Sequence, residues 1–221
     1  MREHVIIVAG GSGSRMKQAL PKQFIEIAEK PVVVHTIEAF LDYNPSIHIV
    51  LVLPEAHITT WNTIHKDFLD NQVIDIAHGG ASRFQSVKAG LDLVGEGLVA
   101  IHDAVRPMIT KDVISASFKE AELSGSGVVM VPLKDSIREQ EAGVTIARDR
   151  SRFLTVQTPQ TFQVHLIKKA FEQGESPLFT DDASVFEAGG QDVAVVSGDY
   201  RNIKITTPED LVLAEALLQK K

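Results

Sequence analysis

Cysteine is absent from all 221 residues, which excludes disulfides and thiolate metal sites and is compatible with a reducing compartment. Positive charge is in the minority: 22 Lys and Arg stand against 29 Asp and Glu, a formal net charge of −7. A surface of that sign is not suited to nucleic acid, so any phosphate site must be a local positive patch. No stretch approaches the ~20 apolar residues needed to cross a membrane. The first apolar run is too short for a signal peptide and leads into glycines rather than a cleavage site, so the expected location is cytoplasmic. The eight histidines show no H-E-x-x-H spacing, and no protein-held metal is expected. The P-loop pattern G-x-x-x-x-G-K-[ST] is missing too. At 44% hydrophobic and 23% charged, the composition is in the ordinary range of globular enzymes, and the chain is long enough to bury a substantial core.

The most informative segment is Ala9-Gly10-Gly11-Ser12-Gly13-Ser14-Arg15-Met16, followed by Pro21-Lys22-Gln23-Phe24. It follows Val5-Ile6-Ile7-Val8, which reads as a buried strand. Glycines after a strand let the backbone approach a ligand closely, and successive N–H groups there form a concavity suited to phosphate oxygens. Arg15 and Lys22 add two cations. The dinucleotide fingerprint G-x-G-x-x-G is spoiled by Met16, and Pro21 soon interrupts any helix. A tight turn is the plain alternative for glycines alone. The two cations in register favour a polyphosphate cradle.

Strand candidates are Val5–Val8, Ile47–Leu53, Val73–Ala77, Leu98–His102, Gly127–Val131, Val193–Val196 and Asn202–Thr206. Helical periodicity falls between them, at Val32–Asp42, His57–Leu69, Ser82–Leu93, Asp112–Leu123, Val164–Gln173, Asp181–Ala188 and Glu209–Leu218. Pro31 suits a first helical position, Ser82 an N-cap, and Thr207-Pro208-Glu209-Asp210 a cap, proline and acidic first turn. The alternation predicts an α/β fold with a mostly parallel central sheet and helices on both faces. Ligands then sit beyond the carboxyl ends of the strands. Residues 134–155 break the pattern: two short β-like runs flank Glu141-Ala142-Gly143 and make a charged hairpin. A lone hairpin is marginal in water, so it is expected to lean on a second subunit, the alternative being a surface loop. The expected organisation is one domain over residues 1–221, with 134–155 as a protruding β-arm.

His102-Asp103-Ala104-Val105-Arg106-Pro107 places Asp103 at a strand's carboxyl end, where a carboxylate can meet Mg²⁺ or a substrate hydroxyl. Arg106 suits a phosphate or a polyol, or simply closes a turn with Asp103. Gly79-Gly80-Ala81-Ser82-Arg83-Phe84-Gln85-Ser86-Val87 is a second glycine loop entering a helix, able to read a base or ribose edge, or to be no more than a capped start. Gln157-Thr158-Pro159-Gln160 and Thr180-Asp181-Asp182-Ala183-Ser184 read as polar turns, with Thr180 a possible cap. Lys204 points away from Ile203 and Ile205 and by itself reads as solvated. Trp61 and Phe68, seven apart, read as one core face.

These blocks together resemble the 2-C-methyl-D-erythritol 4-phosphate cytidylyltransferases over nearly the whole chain: G-x-G-x-R-M…P-K-Q, GG-x-x-R-x-x-SV, HDAVRP, VQTPQ-x-F, TDDAS and NIKIT-x-PEDL. The resemblance implies a Rossmann-like nucleotidyltransferase fold, a homodimer formed through the β-arm, and CTP, a polyol phosphate and Mg²⁺ carried mainly on CTP phosphates. It assigns Arg15 and Lys22 to the α-phosphate transition state, and Arg150 and Lys204 to the substrate phosphate with Ser136 near it. It places Asp103, Arg106, Thr158 and Thr180 around the polyol. Ala9, Gly10, Gly11, Gly13, Gly79, Arg83, Ser86 and Asp103 fall around the nucleotide.

One block departs. Ala9-Gly10-Gly11 is more similar to ribitol-5-phosphate cytidylyltransferases, while TDDAS and the Arg150…Val156-Gln157-Thr158 stretch are closer to the methylerythritol enzymes. Ribitol 5-phosphate is therefore the alternative substrate. A nicotinamide-dependent oxidoreductase shares the α/β pattern but lacks its fingerprint. A non-catalytic nucleotide-binding module would not need Arg15, Lys22, Arg150 and Lys204.

Overall fold

The computed structural model describes residues 1–10 and 20–219. Its elements are β1 (Glu3–Val8), β2 (Glu26–Ile27), β3 (Lys30–Pro31), α1 (Val32–Tyr43), β4 (His48–Leu53), α2 (Ile58–Phe68), β5 (Ile74–His78), α3 (Arg83–Asp92) and β6 (Leu98–Asp103). Then come α4 (Lys111–Ser124), β7 (Ser126–Pro132), β8 (Ile137–Glu141), β9 (Val144–Arg148), β10 (Leu154–Gln163), α5 (Val164–Phe171), α6 (Asp182–Ala188), β11 (Val195–Ser197) and α7 (Pro208–Leu218).

Seven strands form the main sheet in the order β11-β7-β10-β6-β1-β4-β5, and only β10 runs antiparallel to its neighbours. The expected α/β class with a mostly parallel sheet is what the structure has. Side chains alternate across a strand, and both faces here are apolar. Val5, Ile7, Ile49, Leu51 and Leu53 pack with α1, α2 and α4, whereas Ile6, Val50 and Val52 pack with α3, α5 and α6. Each fully buried Val, Leu, Ile or Phe contributes roughly 1.5–3 kcal/mol. A third cluster joins Ile27, Val32, Val105, Met108, Ile205 and Ala214 beneath α7.

Local chemistry explains most boundaries. The Ser82 side chain accepts from the Gln85 N–H at the start of α3. Asp181 and Ser184 form a capping box on α6, and Thr207 with Asp210 forms another on α7 behind Pro208. Pro31, by contrast, precedes α1 and belongs to β3, pairing with Glu26, so it is not the first helical residue; the helix starts at Val32, where the periodicity begins. Phe68 is over a third exposed while Trp61 is buried, because α2 turns only its Trp61–Ile64 side to the core.

Two expectations fail for one physical reason. Residues 157–160 are not a turn; they lie inside β10, where Gln157, Thr158 and Gln160 are buried. The β10 register shifts between Val156 and Gln160, around the cis Thr158–Pro159 bond. Asn202–Thr206, in turn, is not a strand: Asn202 N–H donates to Asp199 and Ile205 N–H to Val105 rather than to a ladder. In both segments tertiary burial, not local periodicity, decides the conformation. Ile203 and Ile205 bury against the third cluster instead of a sheet face.

The hairpin is present as β8 and β9, closed by Ala142 and Gly143 with φ of 48° and 83°. Two successive positive-φ residues suit the right-handed twist of paired strands. Its Val144 and Ile146 are exposed.

Helix α4 rests directly on β7. A Cβ on Gly127 would lie 2.3 Å from the Ser117 carbonyl oxygen and 3.1 Å from the Ala121 nitrogen. Gly127→Val is therefore expected to lower unfolding stability by about 3 kcal/mol. Urea denaturation checks this; a midpoint equal to that of the parent would contradict the packing.

Candidate active site

The chain runs from β1 outward to β4 and β5, then returns to place β6 on the other side of β1. Such a switch opens a crevice beyond the strand ends. Here the ends are Val8 and Asp103, register partners across the β1–β6 ladder, with Ala104 N–H donating to the Val8 carbonyl at 3.1 Å.

Two loops border the crevice. Residues 9 and 10 leave β1, and the buried Gln23 amide donates to the Ala9 carbonyl at 2.8 Å. Beside them, residues 79–82 enter α3. The Ser86 hydroxyl accepts from the Gly80 N–H at 3.1 Å and donates to the Ser82 carbonyl at 2.8 Å, stapling this loop to the helix. A Cβ at Gly80 would fall 2.3 Å from Gln85 Cβ, so the turn needs glycine there. Ser86 thus shapes the loop, and its proton is engaged inside the protein.

At the centre is Asp103, 7% exposed. Lys204 Nζ lies 2.9 Å from its Oδ2, and Arg106 Nε 3.4 Å from the same oxygen. Arg106 Nη1 also donates to the Asn202 carbonyl at 2.9 Å. Burial would raise the Asp103 pKa, but Lys204, Arg83 and Arg106 together reverse this and hold the carboxyl well below the usual range. Lys204 is therefore paired rather than merely solvated. Arg83 grips the buried Asp182 with two bonds of 2.7 and 2.6 Å. Burial would lower the Arg83 pKa; Asp182, joined by Asp103 and Asp181, more than offsets this and keeps the guanidinium charged.

Next to Asp103, the His102 ring fixes its own tautomer. Its Nε2 lies 3.2 Å from the Arg106 carbonyl, which only accepts, so Nε2 carries the proton. Nδ1 is then free to accept from Thr158 Oγ1 at 3.1 Å, while Thr158 Oγ1 accepts from the Asp103 N–H at 3.1 Å. Burial lowers the His102 pKa to about 4, in keeping with a neutral ring.

Adjoining cavities meet at this cluster. One, of about 280 Å³, is bordered by Ala9, Gly10, Lys22, Gly80 and Ser86; a second, of about 290 Å³, by Arg106, Thr158, Thr180 and Asp181. Arg83, Asp103 and Lys204 border both. A third, of about 410 Å³, continues past Arg106 and Lys204 to Lys134 and Tyr200. Another, about 540 Å³ beside Met1, Glu96 and His165, lies at the amino end of β6, and among the described residues no comparable charge cluster borders it. Two cavities divided by fixed cations suit the meeting of two anionic reactants.

Residues 3–220 match the family model described as IspD, 2-C-methyl-D-erythritol 4-phosphate cytidylyltransferase. The chain belongs to the IspD family. Its relatives include the 2-C-methyl-D-erythritol 4-phosphate cytidylyltransferase of Phocaeicola vulgatus, 43% identical over 219 residues, covering 99% of this chain and 100% of the relative. That of Bacteroides fragilis is 44% identical over 218 residues, 96% of this chain and 98% of the relative. Among solved structures, the 4-diphosphocytidyl-2C-methyl-D-erythritol synthase of Anaerococcus prevotii superposes with a TM-score of 0.85 at 28% identity, covering 99% and 96% of the two chains. The cytidylyltransferase of Thermus thermophilus gives 0.78 at 28% identity, covering 99% and 100%.

Of the residues that the IspD resemblance singled out, the structure gathers Ala9, Gly10, Lys22, Arg83, Ser86, Asp103, Arg106, Thr158, Thr180 and Lys204 at these cavities. Gly79 adjoins them, its N–H donating to the Leu53 carbonyl at 2.8 Å. Lys22 Nζ donates to the Ile205 carbonyl at 3.0 Å. Gly11, Gly13 and Arg15 lie outside the described residues. Arg150 and Ser136 are exposed at the base of the hairpin and border none of these cavities; Arg150 Nη1 donates to the Lys134 carbonyl. Sequence reasoning missed Asp182 as the partner of Arg83, and the buried amides of Gln23, Gln157, Gln160 and Asn202. Their presence inside motifs otherwise made of site residues was the available signal.

Because His102 is held neutral, its folded pKa of about 4 lies below the unfolded value of 6.5. Its stabilising contribution is complete above pH 6.5 and is lost as pH falls toward 4, on the order of 3 kcal/mol in all. Stability measured by urea across this window is expected to fall less steeply in His102→Gln than in the parent. Parallel slopes would show that His102 does not titrate this way.

Proposed function

We propose that the chain transfers the cytidylyl group of CTP to 2-C-methyl-D-erythritol 4-phosphate, giving 4-diphosphocytidyl-2-C-methyl-D-erythritol and pyrophosphate. Family membership over essentially the full length carries this reading and favours methylerythritol over ribitol phosphate. The cation-lined boundary between the cavities supports it from the side of chemistry.

The 280 Å³ cavity, with its two backbone loops, takes the nucleotide; the cavities at Arg106, Thr158 and Thr180 take the polyol phosphate. A phosphate oxygen of the polyol phosphate attacks the α-phosphorus of CTP, forming one P–O bond as the bond to the pyrophosphate oxygen breaks. The nucleophile is already ionised, so no general base is needed. The obstacle is repulsion between anions, and a unit-charge contact at ~4 Å and an effective dielectric of ~20 offsets on the order of 4 kcal/mol of it. Lys22, with Arg15 from the first loop, meets charge developing at the α-phosphate. Lys204 and Arg106 hold the incoming phosphate and polyol beside Asp103.

Among the described residues no three His, Cys, Asp or Glu side chains form a cage for a metal. One carboxylate, Asp103, fits an ion carried mainly on the substrate's own phosphates. Bound there, Mg²⁺ would neutralise part of the triphosphate charge.

The exposed hairpin supports a homodimer in which Arg150 and Ser136 serve the site of a second copy. No helix among the described residues is long and apolar enough to cross a membrane, and a cytoplasmic setting follows the composition. One domain with an arm remains the organisation that we favour.

Pyrophosphate release from CTP and Mg²⁺ is expected with methylerythritol 4-phosphate and not with ribitol 5-phosphate; the opposite preference would move the enzyme to polyol-polymer synthesis. In the same assay Lys22→Ala is expected to lose ~10²–10³ in kcat with its fold intact. Near-parental turnover would remove Lys22 from the transition state. Arg150→Ala is expected to raise KM for the polyol phosphate by about 10-fold and leave that for CTP nearly unchanged. Equal effects on both would take the hairpin out of the substrate-phosphate site.

A further inference from the structure

Asn202 is fully buried in the segment that connects β11 to α7, outside any sheet ladder. Every polar contact that it makes reaches toward the Asp103 cluster or toward what supports it. Its Nδ2 donates to the Thr158 carbonyl at 2.8 Å and, more weakly, to Gln157 Oε1 at 3.3 Å. Its own carbonyl accepts from Arg106 Nη1 at 2.9 Å. Its N–H donates to the Asp199 carbonyl, which also accepts from Gln157 Nε2; both distances are 2.9 Å. One residue thus ties β10, the turn after β6 and the segment bearing Lys204.

The orientation of its amide is dictated. The Thr158 carbonyl only accepts, so Nδ2 must face it, and Oδ1 must point away. There Oδ1 is buried with no hydrogen-bond partner among the described residues. An unpaired buried acceptor is unfavourable, and it persists where the other contacts of the group demand that placement.

We infer that Asn202 is a positioning residue for the polyol-phosphate side of the site, holding Arg106, Thr158 and Lys204 in register with Asp103. The inference rests on the reaction proposed above. Of what Asn202 holds, Arg106 and Thr158 border only the polyol-phosphate cavities, whereas Lys204 also borders the nucleotide cavity, whose other walls come chiefly from residues 8–10, 22–23 and 80–86. A fault at Asn202 should therefore reach the polyol phosphate, which meets all three residues, far more than the nucleotide, which meets only Lys204.

Asn202→Asp sets a carboxylate oxygen against the Thr158 carbonyl. Protonation of that buried carboxyl restores one donor, so the defect should depend on pH although Asn202 itself does not titrate. In steady-state pyrophosphate release, KM for methylerythritol 4-phosphate is expected to rise about 10-fold over the parent near pH 8, with KM for CTP within about 2-fold. The ratio to the parent should shrink toward unity as pH approaches about 6. Asn202→Ala, which buries no charge, should show the same split without recovery at low pH, and it decides the matter if Asn202→Asp does not fold. Unchanged KM values, or equal rises for both substrates, would overturn the inference while leaving the reaction intact. A parent enzyme that releases no pyrophosphate with methylerythritol 4-phosphate would overturn the reaction, and the inference with it.

Discussion

A carboxylate buried at the end of a central strand is the constraint around which this molecule is arranged. Asp103 can stay ionised there only if cations reach it, since an unpaired buried charge is strongly unfavourable. Arg106 arrives from the turn that follows the same strand, and Lys204 from a segment a hundred residues further on. Arg83, whose field also acts on Asp103, is presented by the start of α3 and anchored by Asp182. Folding thus gathers positive charge at the sheet's carboxyl edge before any ligand is present. Anionic reactants meet groups that need little further reorganisation.

Neutral amides do much of the remaining alignment. Gln23 holds the Ala9 carbonyl, Gln157 the Asp199 carbonyl, and Gln160 bridges Asp181 and the Ala183 N–H. Amides carry donors and an acceptor on a short, uncharged group, so they can satisfy buried backbone atoms without bringing a second charge near the cluster. His102 acts in the same manner once burial has made it neutral. Apart from Asp182, the buried anchor of Arg83, charge near the cluster is carried by positions that face the cavities, and the rest of the supporting layer is polar but uncharged.

Much of the architecture was legible because it rests on local rules. Alternating apolar runs and helical periods expose the layered sheet, and Ser82 and Thr207-Pro208-Glu209-Asp210 mark helix starts through short-range bonds. The glycine loops and HDAVRP lay where strands end, so their shared location followed from the topology. β10 was not legible, because polar residues in a strand centre look like a turn until their partners on other elements are known. Asn202–Thr206 misled in the opposite direction: its isoleucines do alternate, but they bury beneath α7. Arg83 was readable as a cation, and its engagement with Asp182, 99 residues away, was not. What local pattern cannot encode is which distant groups will share a buried volume.

The single reversed strand has a geometric consequence. Pro132 at the end of β7 and Leu154 at the start of β10 face each other across their ladder. Both stems of the hairpin therefore leave from one spot, on the edge where Asp103 lies. A parallel return would have begun at the far edge of the sheet, on the order of 20 Å away for strands of this length. With both stems rooted there, the hairpin is a short bracket rather than a long tether. Two copies that exchanged such brackets would have to turn these edges toward each other, so their symmetry axis would run between the two reaction sites.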